Sequence, residues 1–169
     1  MEHQRRHWLR AGGMLALTGS LIGLRALRWP AAHAADLEHF EVTHTDAEWR
    51  AQLSATAYAV LRHEGTERPF SSPLNDEHRT GIFACAGCQL QLFSSRTKFD
   101  SGTGWPSFWQ ALEHAVANRT DNTFGMERTE IHCRRCGGHL GHVFDDGPKP
   151  TGLRYCMNGV AMTFTPGPA

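Results

Sequence analysis

HLGHVFDDGPKPTGLRYCMN, residues 139–158, places two histidines, a pair of aspartates and a lone cysteine around one short turn. Two runs rich in β-branched and aromatic residues, 142–144 and 153–157, flank the Gly- and Pro-rich segment 147–152. This pattern predicts an antiparallel β-hairpin. We interpret the hairpin as the active site of the protein.

Strand alternation predicts that Arg154, Cys156 and Asn158 share one face of the second strand of this hairpin. A guanidinium beside a thiol favours the thiolate, which is the nucleophilic form. We expect His142 to lie across the hairpin from Cys156. The turn fixes the pairing only to within one residue, and a slip of one residue would turn the imidazole to the opposite face.

Composition allows one compact domain plus an extension, because the chain has 169 residues, of which 40% are hydrophobic and 20% charged. Basic and acidic residues number 17 each, but five arginines and only one glutamate lie in residues 1–34. The remainder is therefore mildly acidic. An acidic domain argues against binding to a phosphate backbone, so we expect no nucleic-acid partner.

Residues 1–34 predict an export signal. Paired arginines at positions 5 and 6 precede an apolar run over residues 11–24, and Ala-His-Ala at 32–34 fits a small-x-small cleavage site. Paired arginines before a glycine-interrupted apolar run resemble a twin-arginine signal. A single-pass anchor is the alternative, but the run is shorter than the ~20 apolar residues that a spanning helix needs. We expect an exported, periplasmic protein with its catalytic domain at 35–169, the signal being cleaved or retained as an N-terminal membrane anchor.

The exported domain should begin with short helices and continue as a strand-rich body. Residues 45–48, Thr-Asp-Ala-Glu, fit a capping box that opens one helix, and Ser54 can cap a second helix ending near Arg62. Residues 38–42 are a candidate strand. Over residues 82–164, short apolar runs separated by Gly, Ser, Asn and Pro predict further strands.

Four of the five cysteines form two pairs with CxxC spacing, Cys85 with Cys88 and Cys133 with Cys136. Four thiolates suit a closed tetrahedral Zn²⁺ site. Disulfides are the alternative in an exported protein. Folding in the reducing cytoplasm before export favours zinc. The 44 residues between the pairs exceed a minimal zinc ribbon, so the metal should tie two parts of one sheet domain together.

Cys156 is left over as a free thiol. It could be a buried, inert cysteine, but Arg154 and Asn158 on the same face and two nearby histidines favour a reactive one. His139 and His142, with HxxH spacing, could instead ligate a metal, although the sequence offers no obvious third ligand.

Trp105 stands in a constrained turn within SGTGWPSFW, residues 101–109. Two glycines and a proline restrict the backbone there. Such a tryptophan either fills the core or lines a pocket, and the sequence alone favours the core.

Several segments resemble the B class of peptide-methionine sulfoxide reductases, which is specific for the R sulfoxide. They are FDSGTGWPSF at 99–108, CRRCGGHLGHVFDDGP at 133–148 and TGLRYCMN at 151–158, with residues 45–70 resembling the N-terminal region of the family. The resemblance covers about residues 38–164. It implies a mainly β (α+β) fold of two antiparallel β-sheets, a few short N-terminal helices, and a structural four-cysteine zinc site away from the active site.

The resemblance also implies the chemistry. Cys156 is the nucleophile, and His142 and His139 supply or relay a proton to the sulfoxide oxygen, with Asn158 orienting the site. General acid help of this kind contributes ~10²–10⁴-fold. The implied products are methionine and a sulfenic acid on Cys156.

Further roles follow from the same resemblance. Trp105 and Phe144 accept the S-methyl group of the substrate, whose burial contributes only about 1 kcal/mol but can select one epimer. Arg154 favours the thiolate, and Asp146 is a candidate for orienting a histidine.

Thr103 occupies a position where many family members have a resolving cysteine. With four cysteines assigned to zinc, the chain has no spare thiol. We therefore expect an external thiol, either a thioredoxin-like domain or a small thiol, to reduce the sulfenic acid. The expected substrates are oxidised proteins or peptides, and we expect a monomer.

Two other functions stay open from the sequence. A zinc-stabilised binding module would explain the paired cysteines and Trp105, but it would not require Cys156, His142 and Asn158 together. A transition-metal trafficking protein would use the histidines and Cys156 as ligands, and two metal equivalents per chain would support it.

Overall fold

A computed structural model describes residues 39–169, which form two α-helices and nine β-strands. The predicted export signal at 1–34 lies outside these residues. No helix in the described part of the chain is long and apolar enough to cross a membrane. The helices are α1 (Asp46–Gln52) and α2 (Ala55–His63). The strands are β1 (Gly81–Cys85), β2 (Gln91–Ser94), β3 (Lys98–Phe99), β4 (Ser107–Phe108), β5 (Val116–Asp121), β6 (Arg128–Cys133), β7 (His139–Phe144), β8 (Arg154–Met157) and β9 (Met162–Pro166).

Both predicted helix starts are confirmed by their caps. The Thr45 hydroxyl accepts from the Glu48 N–H, and the Glu48 carboxylate accepts from the Thr45 N–H at 2.8 Å, which completes a capping box. Ser54 caps α2 by accepting from the Ala57 N–H at 3.2 Å. Helix α2 packs against β7, and His63 at its C-terminal end lines a cavity together with His139 and His142.

The prediction of a strand at 38–42 is wrong for its described part, because residues 39–42 form bends and irregular chain. The N–H of Val42 donates to the Arg135 carbonyl at 2.9 Å, and the Phe40 ring packs edge-on against His132. The segment is thus docked on the turn after β6. Tertiary packing overrides its local strand preference.

The strands form two antiparallel sheets, as predicted. The smaller sheet has the order β2-β1-β9, and the larger has the order β3-β4-β8-β7-β6-β5. Aromatic side chains from both sheets fill the space between them. Phe108 of β4 stacks on Phe93 of β2 with ring centroids 4.3 Å apart, and Phe83 of β1 packs against Phe108 edge-on at 4.9 Å. All three are fully buried.

One row of side chains crosses the opposite face of the larger sheet. Phe108 pairs with Tyr155, which also contacts Phe93 and therefore faces the core. Because side chains alternate along a strand, Cys156 faces away from that core. The register places Cys156 directly opposite His142 of β7, which resolves the pairing that the sequence left open. The residues in register across this row are Ser107, Cys156, His142, Glu130 and Arg119.

A β-bulge in β7 brings the second histidine to the same side. Residues three apart point to opposite faces of a regular strand, but the register shifts between the Ile131–Gly141 and His132–His139 pairs. The rings of His139 and His142 consequently lie 5.5 Å apart. Only glycine fits at position 141, because a Cβ atom there would overlap the carbonyl oxygen of Cys156 on the adjoining strand.

Candidate active site

The Cys156 thiol is partly buried in β8 and borders a small cluster of hydroxyl groups. Its Sγ atom lies 3.9 Å from Thr103 Oγ1. Ser101 Oγ is 2.8 Å from Thr103 Oγ1 and also 2.8 Å from Ser107 Oγ. The hydroxyl groups thus link the Thr103 side chain to the strand that neighbours the cysteine.

Opposing effects act on the pKa of Cys156. Burial raises the pKa of the thiol, whereas the Thr103 hydroxyl and the Arg154 guanidinium lower it, and the net direction is upward. Arg154 acts in the direction predicted from the sequence but does not outweigh burial. The surroundings of Cys156 therefore favour the protonated thiol over the thiolate.

Asp146 does not orient a histidine, contrary to the sequence hypothesis. Its carboxylate accepts two hydrogen bonds of 2.8 Å from Arg154, and the guanidinium lies over the Phe144 ring at 4.4 Å from its centroid. The reason is the strand register, which pairs Phe144 with Arg154 and leaves Asp146 just beyond, beside the guanidinium. Asp146 therefore holds Arg154 beside Cys156.

A different carboxylate binds His142. His142 Nε2 lies 2.8 Å from Asp121 Oδ2, to which Arg128 also donates at 2.6 Å. The other oxygen of Asp121 accepts from the Thr123 backbone N–H at 2.8 Å, and these hydrogen bonds lower the pKa of Asp121. An ionised carboxylate only accepts, so Nε2 of His142 carries the hydrogen. Burial lowers the pKa of His142, and the bond to Asp121 opposes that shift.

His139 has its own buried carboxylate. Its Nδ1 lies 2.7 Å from Glu130 Oε1, and both side chains are almost fully buried. Arg119 donates to the Glu130 carboxylate and, at 2.7 Å, to Glu64. Burial alone would raise the pKa of Glu130, but the hydrogen bonds from His139 and Arg119 lower it to about 2.

A pocket of about 140 Å³ opens beside Cys156 and His142. Trp105 is partly buried and forms one wall, so it lines a pocket and does not fill the core as the sequence favoured. The pocket brings together Cys156, His142, Asn158, Trp105 and Phe144 from the predicted set. The other lining residues are Thr66, Arg128 and Gly141.

Glu67 positions two of these walls, a role that sequence reasoning missed. The Glu67 carbonyl accepts from the Trp105 indole N–H at 3.1 Å, and its N–H donates to Asn158 Oδ1 at 3.0 Å. The Glu67 carboxylate accepts from the N–H groups of Gly159 and Val160. This residue lies in GTERPF at 65–70, so resemblance to the family was the only signal that could have drawn attention to it.

A second cavity, of about 240 Å³, lies beside His142 and shares Thr66 and Arg128 with the first. Its lining is mainly polar and charged. His139 also lines it, and the buried Nε2 of His139 lacks a hydrogen-bond partner within residues 39–169. Because buried polar atoms are almost always paired, a water molecule in this cavity is the natural donor to Nε2.

The four-cysteine cluster, Cys85, Cys88, Cys133 and Cys136, lies where the two sheets meet. Cys85 ends β1 and Cys133 ends β6, and the second cysteine of each pair lies in the following turn. Sγ atoms of Cys85 and Cys136 are 3.7 Å apart and those of Cys88 and Cys133 are 3.5 Å apart. A disulfide requires about 2.05 Å, so these are free thiols that could bind one metal ion.

The placement of this cluster confirms the prediction that it joins two parts of the domain. All four ligand atoms lie within 4.8 Å of one another, which fits a closed four-sulfur site. In the described part of the chain, no second group of His, Cys, Asp or Glu side chains has this arrangement. His139 and His142 are bound to carboxylates and are not part of a metal-ligand group.

Comparison with known proteins agrees with this geometry. A family described as the SelR domain matches residues 53–166. The "Peptide methionine sulfoxide reductase MsrB" of Thiobacillus denitrificans is 58% identical over 123 residues, covering 72% of this chain and 93% of that protein. The protein of the same name from Agrobacterium fabrum is 53% identical over 132 residues, covering 78% of this chain and 98% of that protein. The corresponding protein of Methanosarcina mazei is 50% identical over 126 residues, with coverages of 74% and 90%. The chain therefore belongs to the SelR-domain family of peptide methionine sulfoxide reductases named MsrB.

Proposed function

We propose that this reductase acts on the R sulfoxide of methionine, chiefly in polypeptides, and takes the oxygen as a sulfenic acid on Cys156. The observation that carries the proposal is the pairing of Cys156 with His142 beside a pocket walled by Trp105 and Phe144. A nucleophile, a proton donor and an apolar receptor for a methyl group thus surround one small space.

The pocket distinguishes the two epimers by its three different sides. The S-methyl group lies between the rings of Trp105 and Phe144, the sulfoxide oxygen faces His142, and the rest of the substrate extends to solvent. The opposite epimer in this pose would exchange the methyl group and the oxygen. It would place a polar oxygen on aromatic rings without a hydrogen bond, which is unfavourable.

The reaction transfers one oxygen atom and two electrons. The Cys156 thiol passes its proton to Nδ1 of His142, because Nε2 is bound to Asp121. The thiolate then attacks the sulfoxide sulfur while Nδ1 donates this proton to the sulfoxide oxygen. The S–O bond of the sulfoxide and the transient bond between the two sulfur atoms then break as the hydroxyl group passes to the cysteine sulfur. The methionine sulfur is reduced by two electrons and the cysteine sulfur is oxidised by two. Asp121 keeps a negative charge beside His142 throughout this transfer.

Reduction of the sulfenic acid requires two external thiols. Thr103 of the SGTGWP turn has its hydroxyl oxygen 3.9 Å from Cys156 Sγ, and a hydroxyl group cannot form a disulfide. The other four cysteines belong to the four-cysteine cluster. A thioredoxin-like domain or a small thiol first forms a mixed disulfide and releases water. A second thiol then releases Cys156 and gives an external disulfide.

The four-cysteine cluster holds a structural Zn²⁺ in this proposal. Tetrahedral Zn–S bonds of about 2.3 Å place sulfur atoms roughly 3.8 Å apart. The observed separations of 3.7 and 3.5 Å are close to this value. The ion supplies no step at Cys156 and instead stabilises the joint between the sheets.

The place of action is part of the same proposal. Residues 1–34 are a twin-arginine-like signal in their composition and order, and they lie outside the described structure. We place the domain in the periplasm, where it repairs oxidised proteins under oxidative stress.

Single-turnover reduction tests this proposal. The zinc-loaded protein is mixed with the separate R and S sulfoxides of N-acetyl-methionine amide, without any reductant and beside a Cys156→Ser control. We expect about one methionine per protein from the R epimer only, none from the control, and trapping of a sulfenic acid by a carbon nucleophile. Equal reduction of both epimers, or an intramolecular disulfide involving Cys156, would contradict the proposal.

A further inference from the structure

Among the side chains whose exposure the structure describes, two large hydrophobic ones are exposed, Phe70 at 74% and Met126 at 52%. A single exposed apolar side chain is ordinary on a protein surface. Phe70 differs because its backbone adopts a conformation that is unfavourable for a phenylalanine. Its φ angle is 61°, in the left-handed region.

This backbone conformation belongs to a tight turn over residues 68–71. The Arg68 carbonyl accepts from the Ser71 N–H at 3.3 Å and from the Ser71 hydroxyl at 2.6 Å. Pro69 occupies the second position of the turn and Phe70 the third. Turns with a positive φ at the third position ordinarily have Gly or Asn there. A phenylalanine at this position carries strain, and a largely exposed ring recovers little of that cost through burial.

The turn holds the Phe70 ring beside the wall of the Cys156 pocket. The Phe70 N–H donates to the Gly104 carbonyl at 2.7 Å, and Gly104 directly precedes Trp105. A Cβ atom on Gly104 would lie 2.9 Å from the Phe70 ring, so the missing side chain lets the ring approach this backbone. The contact between Phe70 and Gly104 therefore depends on the turn at 68–71 and on the glycine at 104.

A hollow of about 120 Å³ lies between the Phe70 ring and the segment of residues 104–106. Trp105 lines both this hollow and the pocket beside Cys156, so the two cavities adjoin at its side chain. Both carboxylates and a lysine line the hollow, so its charge favours neither sign. The apolar residues of the hollow are Phe70, Phe99, Gly104, Trp105 and Pro106, and the polar ones are Asn75, Asp76, His78, Lys98 and Asp100.

We propose that Phe70 and this hollow bind a large apolar side chain next to the methionine sulfoxide in a polypeptide substrate. The inference rests on the proposed function, because the sulfoxide must occupy the pocket between Trp105 and Phe144. Adjacent residues have Cα atoms about 3.8 Å apart, so the neighbour of a bound methionine sulfoxide must lie on the surface adjoining that pocket. A substrate side chain that covers the exposed Phe70 ring would explain why the strained turn holds a phenylalanine at this position.

Steady-state kinetics on the full-length protein test this subsite. The substrates are the R sulfoxides of Ac-Leu-Met-Leu-NH₂ and Ac-Gly-Met-Gly-NH₂, with Ac-Met-NH₂ sulfoxide as a reference. We expect kcat/KM of the wild type to favour the leucine peptide by about five- to tenfold, the size expected for partial burial of a phenyl ring. In Phe70→Gly this ratio should fall to near one. The matched control Met126→Ala should keep the wild-type ratio.

Thermal unfolding separates loss of binding from loss of folding. Because glycine relieves the strained φ angle, Phe70→Gly should unfold at the same temperature as the wild type or higher. A wild type without preference for leucine, or a Phe70→Gly variant that keeps the preference, would overturn the subsite while leaving the reductase intact. A dimer that dissociates in Phe70→Gly with an unchanged ratio would assign the ring to a second copy and also overturn it. Failure to reduce any of the R sulfoxides would instead refute the proposed function and the subsite together.

Discussion

Replacement of Glu130 by glutamine should remove one source of the acid sensitivity of this protein. The carboxylate is almost fully buried and is hydrogen-bonded by His139 and Arg119, which lower its pKa from 4.5 to about 2. A carboxyl group whose pKa is lower in the folded state stabilises the fold above its unfolded pKa. That contribution is lost as the pH falls from about 4.5 towards 2.

The size of the effect follows from this pKa difference. Each pKa unit corresponds to about 1.4 kcal/mol, so Glu130 should contribute roughly 3 kcal/mol to the free energy of unfolding at neutral pH. Glutamine has nearly the same volume but cannot ionise, and it leaves the Arg119 guanidinium without this charged partner. A loss of about 3 to 5 kcal/mol is typical when one member of a buried ion pair is removed.

Urea unfolding of the zinc-loaded proteins at pH 7, 6, 5 and 4 measures this contribution. The difference in unfolding free energy between wild type and Glu130→Gln should be about 3 kcal/mol or more at pH 7 and should shrink as the pH falls below 5. Release of metal by acid affects both proteins and cancels in the difference. The matched control is Glu127→Gln, an exposed carboxylate three residues earlier, which should stay within about 0.5 kcal/mol of the wild type at every pH. A difference between wild type and Glu130→Gln that does not change with pH would refute the electrostatic account.

Three further predictions concern the pocket, the metal and the strand pairing. Asp121→Asn removes the charge that opposes the burial-induced lowering of the His142 pKa; the alkaline decline of the single-turnover rate should therefore move to lower pH, with about tenfold less activity at pH 8, and an unchanged pH profile would contradict this role. Cys88→Ser should lose bound metal by elemental analysis and about 3 kcal/mol or more of stability; retention of one metal ion per chain would show that three sulfurs suffice. Gly141→Ala should cost about 3 kcal/mol because its methyl group would overlap the backbone of β8, whereas Gly125→Ala, in open space, should cost only about 1 kcal/mol; equal losses in chemical denaturation would refute the argument from close approach.

Features encoded by neighbouring residues were predictable from the sequence. The capping box at Thr45 and Glu48 depends on residues three apart and is present in the structure. The hairpin around residues 147–152 follows from its turn residues, and the CxxC spacing indicates the four-cysteine cluster. These patterns are local, so propensity and spacing suffice to recognise them.

Features that depend on register or on distant partners were not predictable. Asp121 is 21 residues from His142 in sequence and becomes its partner only because β5, β6 and β7 pair side by side. The bulge in β7 turns His139 to the face where Glu130 lies, and no local sequence pattern predicted that bulge. Trp105 becomes a pocket wall because Glu67 binds its indole from a segment 38 residues away. Reasoning from the sequence therefore predicted five of the residues that line the pocket beside Cys156, but not the groups that hold them.

The four-cysteine cluster also affects how the chain finds its fold. Its two close sulfur pairs join positions 51 and 45 residues apart. Each pair links β1 or the turn after it, in the smaller sheet, to β6 or the β6–β7 turn of the larger sheet. Bringing together chain positions at this separation costs an unfolded chain about 4 kcal/mol in entropy. A metal ion that stays bound during unfolding keeps this distant encounter in place, so refolding begins at a lower effective contact order. The metal-retaining chain should accordingly refold faster than the stripped one, which must find the same meeting of sheets by diffusion.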